Sequence, residues 1–134
     1  MYKGIYKQGN NGGKRVFVNL SNHPSDQWGE AQRQDALCYG EIIDLPYPQI
    51  PVKIENDAME TLVSDYYDQI VRLDKPVVML QGEAVFAFRL ANRVKEAGIQ
   101  VLASCTERVS EEERLEDGSI RKVSRFQYGG MREY

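Results

Sequence analysis

The sequence predicts a three-layer α/β sandwich, in which helices cover a mainly parallel β-sheet that carries an antiparallel hairpin at one edge. Three observations lead there. Residues 76–108, PVVMLQGEAVFAFRLANRVKEAGIQVLASCTER, read as strand, tight turn, helix and strand. Upstream, the short apolar runs RVFVNL and EIIDL each precede a stretch with helical features. Downstream, a Glu-rich segment and an Asp117-Gly118 turn mark a hairpin.

Taken in order, residues 1–13 are rich in Gly and Asn and form either a flexible leader or one arm of a hairpin, with one domain expected over 14–134. Residues 15–20 are the first strand, ended by Ser21-Asn22-His23-Pro24, where proline forces His23 into an extended conformation. Ser25 is placed to cap the next helix, with Asp26 in its first turn, and that helix runs through Trp28 and Ala31 to stop at Gly40. Residues 41–45 are the second strand, and Pro46, Pro48 and Pro51 stiffen the loop after it. Asp57 and Glu60 have capping-box spacing, followed by a helical face of Met59, Leu62, Val63, Tyr66, Ile70 and Leu73.

Residues 77–80 then form a strand buried on both faces. From Ala84 the apolar residues Ala87, Leu90, Ala91, Val94 and Ala97 recur at three and four, which is the period of an amphipathic helix. Gly98 sits where a C-cap needs a left-handed residue, and residues 99–103 resume as a strand. The βαβ unit predicts parallel strands and a right-handed crossover. After Arg108, residues 110–115 are a solvated hairpin arm, residues 120–128 its partner strand, and Gly129-Gly130 lead into a tail.

The totals narrow the function classes. A chain of 134 residues with 42% hydrophobic and 28% charged residues is long enough for a core without disulfide staples. No apolar stretch approaches a membrane span and the N-terminal residues lack a signal-peptide core, so a cytoplasmic protein is expected. Cys38 and Cys105 form neither a disulfide framework nor a metal-ligand spacing, so reduced thiols and no metal or cofactor are expected. A net charge of −3 argues against a duplex-coating nucleic-acid binder, but leaves room for a small anionic ligand. GxGxxG, GxxxxGK[ST], HExxH, GxSxG and CxxC are all absent.

In such sheets ligands bind beyond the carboxyl ends of the strands, where strand order reverses. Three polar segments are expected to converge there: Ser21-Asn22-His23-Pro24, Gln81-Gly82-Glu83 and Ser104-Cys105-Thr106-Glu107-Arg108. His23, the sole histidine, has the side chain suited to proton transfer near neutrality. Gly82 allows close backbone approach to a phosphate or ribose. Glu83 opposes a phosphate at that helix start and suits a sugar hydroxyl or the helix dipole better. Arg108, with Thr106, can bring a guanidinium to phosphate oxygens, and its alternative is a surface ion pair with Glu107. Trp28 has two readings, stacking a base or covering the sheet.

NLSNHPSDQW at the first strand end, GEIIDLPYP at the second and VMLQGEAVFAFRLANRVKEAGIQVLASCTERV together resemble the small CARF-like Csx-type proteins of type III CRISPR systems. The resemblance covers residues 15–109 and implies a Rossmann-like domain that binds, and in some members slowly cleaves, cyclic oligoadenylate second messengers as a homodimer. Carried onto this chain, it implies binding by Ser21, Asn22, Gln81, Gly82, Glu83 and Thr106, with Trp28 or the loop of residues 46–51 on adenine, and His23 and Arg108 as the catalytic pair of a metal-independent ring nuclease. Alternatives are a non-catalytic sensor or sponge for the same ligand, a deoxyribosyltransferase-like hydrolase with Glu83 as nucleophile, and an interaction module whose polar strand ends are helix caps.

Overall fold

The computed structural model describes residues 15–134, and the expected leader or hairpin arm lies outside the described residues. The chain runs β1 (Val16–Leu20), a 3₁₀ turn (Ser25–Gln27), α1 (Glu30–Tyr39), β2 (Glu41–Asp44), α2 (Asn56–Val71), β3 (Pro76–Leu80), α3 (Ala84–Glu96), β4 (Val101–Arg114) and β5 (Ile120–Glu133). The five strands form one sheet in the order β2-β1-β3-β4-β5. The pairs β1/β2, β1/β3 and β3/β4 are parallel, and β4/β5 is antiparallel.

Period-two alternation along β1 and β3 divides their side chains between two cores. Val18, Leu20, Val78 and Leu80 pack with Met59, Val63 and Ile70 of α2 and Phe86, Leu90 and Val94 of α3. Phe17, Val77 and Met79 pack with Ala36 of α1. That double burial is why the strand sequences are continuous apolar runs rather than alternating ones. The predicted face of α2 is the face that packs, and α3 adds Phe86, which completes its buried stripe. Ala97 is exposed, one residue beyond the helix. Gly98 takes the left-handed conformation expected of it, with φ 82°.

Three local expectations are corrected. The first helix does not start at Ser25: a 3₁₀ turn comes first, and α1 begins after Gly29. Ser25 is drawn away to Asp44, whose carboxylate accepts from the Ser25 amide and hydroxyl at 3.1 to 3.3 Å. The capping box at Asp57 does not form, since Glu55 occupies the N-cap of α2 without a side-chain cap hydrogen bond.

The largest difference is in β4, which continues through residues 104–114 instead of ending at Ala103. It pairs with β3 only at Val78↔Val101 and Met79↔Leu102, but with β5 from Leu102↔Glu133 to Arg114↔Ile120. Beyond Leu102 the hairpin therefore leaves the parallel part of the sheet as a two-stranded ribbon. Arg121–Glu113 at 2.8 Å and Arg125–Glu111 at 2.9 Å lie along it, solvated pairs contributing about 0–1 kcal/mol each. The turn spans residues 116–118, with Leu115 and Ser119 closing it by a backbone hydrogen bond, one residue longer than the Asp-Gly pair predicts. Gly129 and Gly130 start no tail: they lie opposite Cys105 where the register shifts between Ser104 and Thr106, and β5 runs on to Glu133. Two residues against one make a β-bulge, and Gly130 at φ 112° adopts a conformation that L side chains resist.

Candidate functional site

The chain passes from β1 outward to β2, then returns across β1 to β3, so strand order reverses between β1 and β3. At their carboxyl ends lies an open cleft of about 860 Å³. Its floor is Met79, Gln81, Gly82 and Ser104, and one wall is Ser21, Asn22 and His23 with Gln27, Trp28, Gly29 and Gln32. The other wall is Thr106 with the β5 residues Arg125, Phe126, Gln127 and Tyr128.

The His23 wall is built on Asn19, the one buried polar residue among the described residues, 2% exposed. Its Nδ2 donates to the His23 carbonyl and to Asp44 Oδ1, both at 2.9 Å, and its Oδ1 accepts from the Ser21 hydroxyl at 2.7 Å. The Ser21 oxygen in turn accepts from the His23 amide at 3.2 Å. An amide side chain with donor and acceptor ends is needed to hold both sides of this turn. Asp44 extends the network to Ser25, and the Arg33 guanidinium donates to the Ser25 carbonyl. Trp28 meets Phe17 edge to face at 6.2 Å and also lines the cleft, so both readings of this residue have a structural basis.

On the floor, Gln81 is tied into the sheet: its Oε1 accepts from the Ser104 amide at 2.8 Å and the Ser104 hydroxyl at 2.5 Å. Gly82 serves a close approach, but the approaching group is Tyr47, since a Cβ there would stand 2.1 Å from a ring carbon. The Tyr47 hydroxyl donates to the Glu83 carbonyl at 3.2 Å, and burial, then the Glu83 charge, push its pKa well above the ordinary tyrosine value. The proline-rich loop thus packs against the β3–α3 turn and contributes no residue to the cleft lining.

The far wall is anchored by Tyr128, whose hydroxyl donates to Asp35 Oδ2 of α1 at 2.6 Å. Burial raises its pKa well above normal, and the hydrogen bond and charge of Asp35 raise it further. The bulge at Gly129-Gly130 sets the register in which residues 125–128 meet the cleft.

Of the residues singled out in the sequence, the cleft brings together Ser21, Asn22, His23, Trp28, Gln81, Gly82 and Thr106. It does not bring Glu83 or Arg108. The Glu83 carboxylate caps α3, accepting from the Phe86 amide at 2.7 Å. Arg108 is exposed in mid-strand opposite Phe126 and outside the cleft lining, because β4 does not end where the loop was expected. Missed were Asn19, legible as the one polar residue inside VFVNL, and the β5 wall, signalled by glycines interrupting a strand pattern. Among the described residues no group of three or more His, Cys, Asp and Glu side chains forms a metal-binding cluster, and no helix is long and apolar enough to cross a membrane.

A comparison with protein families places these elements in one of them: the chain belongs to the Uncharacterized protein MJ1673 family, whose model matches residues 15–132 and so takes in the whole cleft. Comparison with curated proteins found no match.

Proposed function

We propose that the cleft binds a cyclic oligoadenylate and cleaves it without a metal, as a homodimeric ring nuclease of type III CRISPR antiviral signalling in the cytoplasm. The architecture is read as a CARF-like, Rossmann-like three-layer sandwich. The observation that carries the proposal is the meeting of His23 and Trp28 with the ends of β1 and β3 in one cleft, at the reversal of strand order.

The chemistry asks for an imidazole, a grip on the nucleotide and control of geometry. The ribose 2′-oxygen attacks the adjacent phosphorus as the bond from phosphorus to the 5′-oxygen breaks. His23 takes the 2′-hydroxyl proton, and the 5′-oxygen leaves with a proton from solvent. The Asn19 network fixes the backbone that carries His23, which suits a reaction governed by in-line alignment. His23 and Arg125 are the basic residues lining the cleft, and Arg125 is paired with Glu111 at 2.9 Å. Neutral groups of the lining, Asn22, Gln27 and Gln127 among them, hydrogen-bond to ribose and base, and Arg125 can exchange its solvated pair for a phosphate. On a two-fold axis one set of such groups grips both halves of a symmetric ring.

A second reading, a sensor or sponge that binds without cleaving, is favoured by the separation of Arg108 from the cleft, which leaves His23 without the arginine expected beside it. One experiment separates the two. Purified protein is mixed with cyclic tri-, tetra- and hexa-adenylate in the presence of a chelator, with binding read by gel shift and products by chromatography. Linear adenylates appearing with wild type and lost in His23→Ala establish the nuclease; a shift without products establishes the sponge. No shift and no products with any ring refute both.

A further inference from the structure

Phe126 lines the cleft and is 75% exposed. Its neighbours on β5 are held: Tyr128 by Asp35 and Arg125 by Glu111. Tyr128 thus ties the hairpin to α1 two residues from a phenyl ring that packs into neither core cluster, and Arg125–Glu111 links the two arms of the hairpin. This wall offers a ligand an aromatic face beside an arginine held only by a solvated pair with Glu111. Trp28 lies in the opposite wall, in partial contact with Phe17. An aromatic ring exposed along a strand, beside hydrogen-bonding side chains and an arginine, is an arrangement by which proteins take up unpaired bases through stacking.

We infer that Phe126 is a base-stacking residue of the cleft, supplied by the β4–β5 ribbon, and that it takes a nucleobase of the ligand on its ring. This rests on the nucleotide reading of the cleft and adds a residue and a role to it. The ribbon thereby becomes part of the binding site.

The test compares wild type, Phe126→Ala and Phe126→Tyr for binding of fluorescently labelled cyclic tri-, tetra- and hexa-adenylate. The side chain is largely exposed, so the unfolding midpoint of Phe126→Ala should stay at the wild-type value. Stacking on one ring corresponds to affinity lower by about 10-fold or more in Phe126→Ala, with Phe126→Tyr close to wild type. Fluorescence of Trp28, the only tryptophan, should still respond to saturating ligand in the alanine variant. If wild type binds a ring and Phe126→Ala binds it equally well, the stacking role is overturned and the nucleotide reading stands. If wild type binds none of the rings, both are overturned.

Discussion

Replacing Asn19 by Ala removes a side chain that is 2% exposed and takes part in three hydrogen bonds, to the His23 carbonyl, the Asp44 carboxylate and the Ser21 hydroxyl. Neutral bonds of this kind contribute about 0.5–1.5 kcal/mol net, and those to a charged partner about 1.5–3 kcal/mol. Ser21 is half-buried and Asp44 exposed, so water recovers part of the loss, and the expected destabilisation is about 2–4 kcal/mol. Against a domain stability of about 5–15 kcal/mol that is a large fraction. Urea denaturation followed by Trp28 fluorescence reads the loss directly, and amide exchange at residues 21–23 should accelerate beyond the global change. In Asn19→Asp, a carboxylate replaces the amide beside Asp44 and the pair resists double ionisation. The folded-state pKa then lies above the unfolded one, so that variant is most stable at low pH and loses stability as pH rises past the ordinary carboxylate range. A loss below about 0.5 kcal/mol in Asn19→Ala, with exchange at residues 21–23 unchanged, would refute the view that this amide holds the His23 turn.

Three further outcomes are expected. Gly82→Ala forces a Cβ to within 2.1 Å of the Tyr47 ring and should cost about 1–3 kcal/mol, and the same change made in a Tyr47→Ala background should cost much less, measured as a double-mutant cycle in urea. Gly130→Ala meets φ 112° and should lose about 1–3 kcal/mol, while backbone chemical shifts of residues 125–128 move as the bulge relaxes. Tyr128 and Tyr47 keep their protons in the folded chain at pH values where the unfolded chain ionises, so stability should hold below about pH 10 and fall as pH rises above it. Tyr128→Phe should make that alkaline fall shallower, read from urea midpoints between pH 8 and 11.

The parallel part of the fold was legible because its signals are local and agree with one another. Val77 to Leu80, the period of Ala87, Leu90, Ala91 and Val94, and the left-handed Gly98 just after its C-cap each name an element without reference to a neighbour. The boundaries that failed are those decided by a distant partner. Ser25 has the composition of an N-cap, but the Asp44 carboxylate from the next strand takes its amide and hydroxyl, and the helix start moves to Glu30. Asp57 with Glu60 has capping-box spacing, but Glu55 occupies the cap.

The same distinction explains the site. The Ser21 to His23 turn and Gln81-Gly82 follow directly from where apolar runs stop, and they do line the cleft. Ser104 to Arg108 looked like a third strand end because polar residues replace apolar ones there, but that change in composition marks the point where β4 loses β3, not the point where it ceases to be a strand. A strand continuing on a single partner needs no apolar faces, so polarity alone cannot end it. The consequence reaches the chemistry. Extending β4 carries Arg108 along the ribbon and out of the cleft lining, and pairing with β5 puts Arg125, Phe126 and Gln127 where a polar loop with Thr106 and Arg108 was expected. On the nucleotide reading proposed above, this wall sets an exposed ring and an amide beside an arginine held only by a solvated pair. Loss of the Phe126 ring should therefore weaken binding of every cyclic oligoadenylate tested, because stacking accepts any base.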